Sequence, residues 1–155
     1  MKLIWGMAMA LTAMTALAQS GGVNHYSAAK LQRMAQKLEQ QATSDRTGIA
    51  AKTLEKYPGH FTMLTVRTSS GGAEMHAHDA DIFFIVDGQA ALTTGGTIVD
   101  AKTTAPGETR GTKVEGGVTQ QLGKGDVVHI SPNTPHQMTI AKGHSVTYFV
   151  VKVHE

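Results

Sequence analysis

The stretch that most constrains the fold of this chain is residues 71–88, GGAEMHAHDADIFFIVDG. Two glycines open it, His76 and His78 follow two residues apart, and Asp81 precedes an apolar run that ends at an Asp-Gly pair. Side chains two apart on a strand point to the same face, so both imidazoles are expected to reach one point. Because neutral imidazole is the commonest metal ligand in proteins, this spacing with a carboxylate close behind predicts half of a metal site.

A second stretch, residues 123–140, supplies the other half of the predicted site. Its sequence is GKGDVVHISPNTPHQMTI. A short β run leads into a Pro-Asn-Thr-Pro turn, and His136 stands where the chain re-enters a strand. The sequence therefore offers a third imidazole for the same metal ion.

Together the two stretches resemble the paired motifs of the cupin superfamily, and the resemblance covers residues 61–153. It implies an all-β fold, a small antiparallel double-stranded β-helix or jelly-roll barrel. It also implies one divalent metal ion inside the barrel, held by three histidines and one carboxylate. The positions that match those ligands here are His76, His78, Asp81 and His136.

The match has three departures from the cupin pattern. The motif places a glutamate four residues after the second histidine, where this chain has Ile82. Counting back seven residues from Gly88 reaches Asp81 instead, which is one methylene shorter. In the second motif, Ser131 replaces the usual first proline and Asn133 the usual glycine. The asparagine is a mild change, because it tolerates the left-handed conformation better than other non-glycine residues.

The identity of the carboxylate ligand stays open at this point. Glu74 shares strand parity with the two histidines, so it is either a rival ligand or a solvent-facing charge. The shorter Asp81 side chain could also leave a site of three histidines with water in the other positions. His129 is either an interior residue beside the ligands or a packed core histidine. Nitrogen ligands with one oxygen suit Mn, Fe, Co, Ni, Cu or Zn, and they disfavour Ca and Mg.

The N-terminal residues 1–18 are predicted to be a secretory signal peptide. One lysine precedes an apolar stretch, and Ala-Leu-Ala at 16–18 forms a small-x-small cleavage site. The expected location is the periplasm or the exterior, with cleavage after Ala18 and no membrane insertion of the mature chain. The chain has no cysteine, so its stability has to come from a packed core.

The rest of the chain is predicted to form one domain. Residues 19–47 comprise a flexible start and an amphipathic helix over 27–43 with Ser27 as its N-cap, and residues 48–155 form the barrel. Residues 97–118 lack a sustained period and are predicted to be a long lid or mobile connection. With 14 Lys and Arg against 12 Asp and Glu, no field that would attract nucleic acid is expected.

Two strands are apolar on both faces, residues 82–86 and 148–151. Both faces of such strands are usually covered. The cover is either a second subunit, which makes the protein a homodimer, or the N-terminal helix.

Two classes of function fit these features. The first is a metal-dependent enzyme of the dioxygenase, isomerase or lyase type, acting on a small polar molecule. The second is an exported module that binds metal or a small ligand without turnover. The sequence favours the enzyme slightly, because an open metal position is useful in catalysis, but fold does not determine function.

Overall fold

The computed structural model describes residues 22–155, so the predicted signal peptide lies outside the described residues. The described part contains one helix and a series of antiparallel strands. The helix, α1, spans Ala28–Ser44. The strands in chain order are β1 Ile49–Tyr57, β2 His60–Arg67, β3 Ala73–His76, β4 Asp79–Thr94, β5 Thr97–Val99, β6 Lys102–Ala105, β7 Glu108–Gly111, β8 Lys113–Glu115, β9 Val118–Gly123, β10 Val127–Ile130, β11 His136–Thr139 and β12 Val146–His154.

Helix α1 begins at the predicted cap and packs on the outside of the sheet. The Ser27 hydroxyl accepts a hydrogen bond from the Lys30 backbone N–H at 3.3 Å, which satisfies one of the free donors at a helix start. Leu38 is buried against Leu64 and Val66 of β2. The predicted amphipathic helix is confirmed. Within residues 22–155, no helix is long and apolar enough to cross a membrane.

Most strands form two antiparallel sheets that share the long strand β4, and β5 and β8 form a separate two-stranded sheet. Residues in its first half pair with β12 and β10, and β12 continues to β2 and β1. Residues in its second half pair with β9 and β11, and β11 continues to β3, β7 and β6. The predicted all-β antiparallel barrel is confirmed.

Strand β4 does not turn at Gly88, although the Asp-Gly pair predicts a turn there. Gly88 adopts φ 78°, and the pairing of β4 with β12 shifts register in the same region, between Thr147 and Tyr148. A side chain at Gly88 would overlap the Ser145 carbonyl oxygen. The glycine therefore allows a bulge that bends β4 from one sheet into the other.

The core lies between the two sheets and comes mainly from inward-facing residues of β4 and β12. Its buried members are Phe83, Ile85, Ala90, Leu92, Leu122, Ile130, Met138, Val146, Tyr148 and Val150. Phe83 and Tyr148 pack with their ring centroids 5.1 Å apart. This packing holds β4 and β12 together beside the polar cluster described below.

Residues 97–118 are mostly strands, so the prediction of a long irregular connection is wrong. Strand β5 pairs with β8, and β6 pairs with β7, which adds to the sheet beside β3. The segment is rich in Gly, Thr and charged residues, which hides the period of two expected of short strands. These strands bring charged side chains to the site.

The outer face of β4 and β12 is covered only in part by α1. Val86 packs against the helix, whereas Phe84 remains 42% exposed and Val127 59% exposed. The Phe84 and Phe149 rings meet edge to face with centroids 6.3 Å apart. An apolar patch of Phe84, Val127 and Phe149 therefore remains on this face.

Candidate metal centre

Three strands bring four metal-ligating side chains to one place. Glu74 and His76 lie two apart on β3 and point to the same side. His136 is the register partner of Glu74 on the neighbouring strand β11. Asp81 lies on β4, and its side chain is buried. The polar cluster consists of Glu74, His76, Asp81 and His136.

The donor atoms of the polar cluster face one another. Asp81 Oδ2 lies 3.3 Å from His76 Nε2 and 3.6 Å from His136 Nε2. Glu74 Oε1 lies 3.4 Å from His136 Nε2. Ligand atoms of Glu74, His76 and His136 all lie within 4.8 Å of one another. An ion between Glu74, His76 and His136 would have two imidazole nitrogens and one carboxylate around it, and Asp81 Oδ2 lies close to both imidazoles.

Each imidazole is oriented by a partner on its far side. His76 Nδ1 lies 2.8 Å from Glu108 Oε1, and His136 Nδ1 lies 2.9 Å from the Thr134 carbonyl oxygen. A carbonyl or carboxylate oxygen only accepts, so both Nδ1 atoms donate. The proton on Nδ1 leaves the Nε2 lone pair of each neutral ring directed into the cluster, an arrangement common at metal-binding histidines.

The His136 Nε2 atom gives a direct test of whether the cluster suits a metal ion. It is buried and, among residues 22–155, has no hydrogen-bond partner. A buried polar atom without a partner costs free energy, and a cation at the centre of the cluster would satisfy it. Two nitrogen and two oxygen donors fit the divalent transition metals better than calcium or magnesium.

Two cations neutralise or orient the carboxylates around the cluster. Lys152 lies opposite Asp81 on β12, with Nζ 2.7 Å from Asp81 Oδ1. Arg110 on β7 forms an ion pair with Glu74 and lies 2.8 Å from Glu108. These cations hold the oxygens in place, and Lys152 leaves Asp81 Oδ2 facing the histidines.

Burial and neighbouring charges shift the pKa values of the two imidazoles in opposite directions. Burial lowers the pKa of His136 to about 4, so this ring is neutral at pH 7. Burial also acts to lower the pKa of His76, but hydrogen bonds to Asp81 and Glu108 outweigh it and raise that pKa. The pKa of Asp81 falls because His76 and Lys152 outweigh the effect of its burial. Without a metal ion, His76 therefore favours a proton between two carboxylates, and metal binding would displace that proton.

The structure brings together three of the four predicted ligands, His76, Asp81 and His136. It places His78 outside the cluster, because β3 ends at His76 and the chain bends at residues 77–78. The two-residue spacing aligns side chains only while the backbone remains a strand. His78 is exposed, and its ring lies 6.1 Å from that of His154. Glu74, the rival carboxylate, lies inside the cluster.

Three residues of this region lie outside the two sequence motifs: Glu108, Arg110 and Lys152. Glu108 and Arg110 lie two residues apart, which is typical of one face of a strand, but they lie in the segment predicted to be irregular. His129 is exposed on β10, so it is not an interior neighbour of the ligands.

A cavity of about 150 Å³ opens beside the cluster. Glu74, His76 and Asp81 line one part of it, together with Arg67 and Tyr148. A larger groove, about 390 Å³, lies between α1 and β4, but no histidine lines it. The smaller cavity is therefore the one that adjoins the candidate metal centre.

The sequence matches no family model and no curated protein, but its fold matches solved structures. The cupin domain of Cnp3 from Schizosaccharomyces pombe aligns over 69% of this chain and 65% of that domain, with 12% identity and a TM-score of 0.51. KdgF from Halomonas sp. aligns over 72% of this chain and 84% of its own, with 11% identity and a TM-score of 0.51. An oxalate oxidase aligns over 72% of this chain and 54% of its own, with 12% identity and a TM-score of 0.52. The chain thus spans about two thirds of the first structure and about half of the last.

Proposed function

Because the chain has the cupin fold, we propose that it binds one divalent transition-metal ion and acts as a metal-dependent enzyme on a small molecule. The proposed donors are two imidazoles and two carboxylates, Glu74, His76, Asp81 and His136. The observation that carries the proposal is the pair of inward-facing Nε2 atoms, one of them buried without a partner. Its ion is Mn, Fe, Co, Ni, Cu or Zn, and the donor set does not select among them.

Each residue around the ion has a defined part in this proposal. A bound ion would act as a Lewis acid toward an oxygen of the substrate or a water molecule. Glu108 holds the His76 ring in the orientation that presents Nε2. Lys152 neutralises Asp81 and fixes which oxygen faces the cluster. The cavity beside the cluster provides the space for a small substrate.

The enzyme class has support from the fold comparison at a coarse level only. The oxalate oxidase is, by its name, an enzyme with a small organic substrate, and it shares its fold with this chain. Consumption of small organic acids by the metal-loaded protein, followed by NMR, tests whether turnover occurs. Binding without consumption would identify a binding or sensing module instead.

That alternative has an observation of its own in its favour. Asp81, Glu74 and Glu108 each have a cationic partner in the structure. Two cations therefore offset part of the negative charge of these three carboxylates without an ion, as expected of a module that binds a small ligand without turnover.

Metal content measured by elemental analysis separates these cases. Wild type should contain close to one ion per chain, and His136→Ala close to none, because its Nε2 lies at the centre of the cluster. His78→Ala is the matched control and should keep the ion. Full occupancy in His136→Ala would place the site elsewhere, and loss in His78→Ala would restore His78 as a ligand.

The proposed setting is an exported protein that works as a homodimer. The apolar N-terminal stretch supports export. Protein recovered from the periplasm of a heterologous bacterium should have the intact mass of a chain beginning at Gln19. A periplasmic mass that includes residues 1–18 would contradict the signal-peptide prediction. The apolar patch of Phe84, Val127 and Phe149 supports a dimer interface.

A further inference from the structure

Arg67 is a cation of the cavity that the metal centre does not use. It is the last residue of β2, it is half-buried, and it lines the cavity together with Glu74, His76 and Asp81. Its Nε donates a hydrogen bond to the Tyr148 hydroxyl at 2.9 Å. Within the described part of the chain this is its one side-chain hydrogen bond, so the two terminal nitrogens of the guanidinium remain for another partner.

The charges that line the cavity leave Arg67 without a counterion. Lys152 pairs with Asp81, and Arg110 pairs with Glu74. Among residues 22–155, no carboxylate oxygen lies within 4.0 Å of the Arg67 guanidinium. Arg110 lines the same cavity as Arg67, and burial together with the charge of Arg67 lowers the pKa of Arg110. An anion in the cavity would relieve this imbalance.

The Arg67 side chain is held in place before any ligand arrives. On one side it bonds Tyr148, whose ring is buried in the core. On the other side it lies against Gly71, where a side chain would overlap its terminal nitrogen. A guanidinium whose position is already set loses less entropy when it binds a ligand.

The size and walls of the cavity restrict what the anion can be. At about 150 Å³, the cavity has room for roughly five water molecules at about 30 Å³ each. Met63, Phe83 and Val150 give it apolar walls, and an ion pair is stronger beside such walls than in water. The flat fork of a guanidinium matches the two oxygens of a carboxylate.

We propose that Arg67, held by Tyr148, anchors the carboxylate of a small organic acid whose other end faces the metal centre. The proposal rests on the proposed function for the role of that other end, but not for the anchoring itself. It names the substrate class as short-chain carboxylic acids, and it makes Arg67 the residue that selects them.

Calorimetric titration with malonate tests the anchor, with malonamide as the uncharged analogue of nearly the same shape. Both probes are titrated into chelator-treated and into metal-loaded protein. Wild type should bind malonate at least about tenfold more tightly than malonamide, and Arg67→Gln should lose about 10- to 100-fold in malonate affinity. Arg67→Lys should recover part of that affinity. Arg33→Gln, at an exposed position on α1, is the matched control and should leave it unchanged.

The outcomes separate the anchor from the metal centre. Equal affinity for malonate and malonamide in wild type would overturn the proposal without any substitution, and so would full malonate affinity in a folded Arg67→Gln. Tighter binding of inorganic phosphate than of malonate would overturn the carboxylate assignment. Arg67-dependent binding in a protein that takes up no metal would support the anchor and refute the proposed metal centre.

Discussion

At the scale of single residues, the groups that decide the chemistry act through their partners. The two imidazoles of the cluster have the same covalent structure, yet burial leaves His136 neutral while two carboxylates favour a proton on His76. The difference arises from where each ring lies and what its far nitrogen bonds. The properties of the site therefore depend also on side chains that are not proposed metal ligands, above all Glu108.

Replacing Glu108 with Gln should weaken metal binding by about 10- to 100-fold. The amide oxygen can still accept from His76 Nδ1, but the negative charge that makes the imidazole a better donor is lost. Competition with a chromophoric chelator measures the affinity. Glu115→Gln is the control, because Glu115 pairs with Lys113 at an exposed position away from the cluster. Equal affinities in the two variants would show that Glu108 has no influence on the ion.

In the metal-free protein, the contribution of His136 to stability should fall as the pH falls from about 7 to about 4.5. The pKa of His136 is about 4 in the folded protein and about 6.5 in an unfolded chain. The unfolded chain therefore takes up a proton first, at a cost to folding of roughly 2–3 kcal/mol by pH 4.5. The contribution of His76 to stability changes with pH in the opposite direction. Its pKa is raised, so its contribution is fully present below about pH 6.5 and is lost as the pH rises through its folded value.

Urea unfolding of wild type and of His136→Gln, at pH 7.5 and at pH 4.5, isolates the His136 contribution. Wild type should lose more stability than His136→Gln when the pH is lowered from 7.5 to 4.5. His129→Gln, at an exposed position, is the control and should track wild type. A wild-type advantage independent of pH would show that His136 is not buried as a neutral ring.

At the scale of elements, β4 decides how the two sheets meet. A bulge at Val86, close to Gly88, lets one strand pair with β12 on one side of the bend and with β9 on the other. A continuous flat strand could not belong to both sheets. The same strand also carries Asp81 into the cluster, so the bend and the site depend on one element.

Gly88→Ala should destabilise the fold more than the same change at Gly59. Both glycines have nearly the same φ, 78° and 79°, so both substitutions have the left-handed cost of about 1–2 kcal/mol. A methyl group at Gly59 meets nothing within 4 Å, whereas at Gly88 it overlaps the Ser145 carbonyl. Adding the cost of overpacking, we expect about 2–5 kcal/mol at Gly88 by urea unfolding. Equal losses of unfolding free energy at the two positions would show that the backbone is not closely packed around Gly88.

At the scale of the whole molecule, the barrel has one face that its own helix leaves open. The helix covers Val86 and Leu64, but Phe84 and Val127 lie beyond it. The helix therefore accounts for the cover over part of the sheet, and a second subunit over the remainder stays a prediction.

Light scattering at micromolar concentration should give twice the mass of the mature chain. Phe84→Lys places a charge in the apolar patch and should give a monomer, because burying an unpaired charge is costly. Val118→Lys is the control: Val118 is 68% exposed on β9, outside the patch, and this change should leave the dimer intact. A monomeric wild type would contradict the dimer.

The fold class, the N-terminal helix and three members of the cluster follow from the amino-acid sequence alone. These features depend on local patterns, namely periods of two and 3.6, glycine and proline at turns, and a histidine that follows a turn. Asp81 was predicted from its spacing to Gly88, and it lies in the cluster although Gly88 is part of β4 rather than of a turn. The positions of His78 outside the cluster and Glu74 inside it became visible only in the tertiary structure. The end of a short strand depends on its neighbours and not on the spacing of two histidines. The contributions of Glu108, Arg110, Lys152 and Arg67 were likewise decided by pairing between distant strands, which no local pattern encodes.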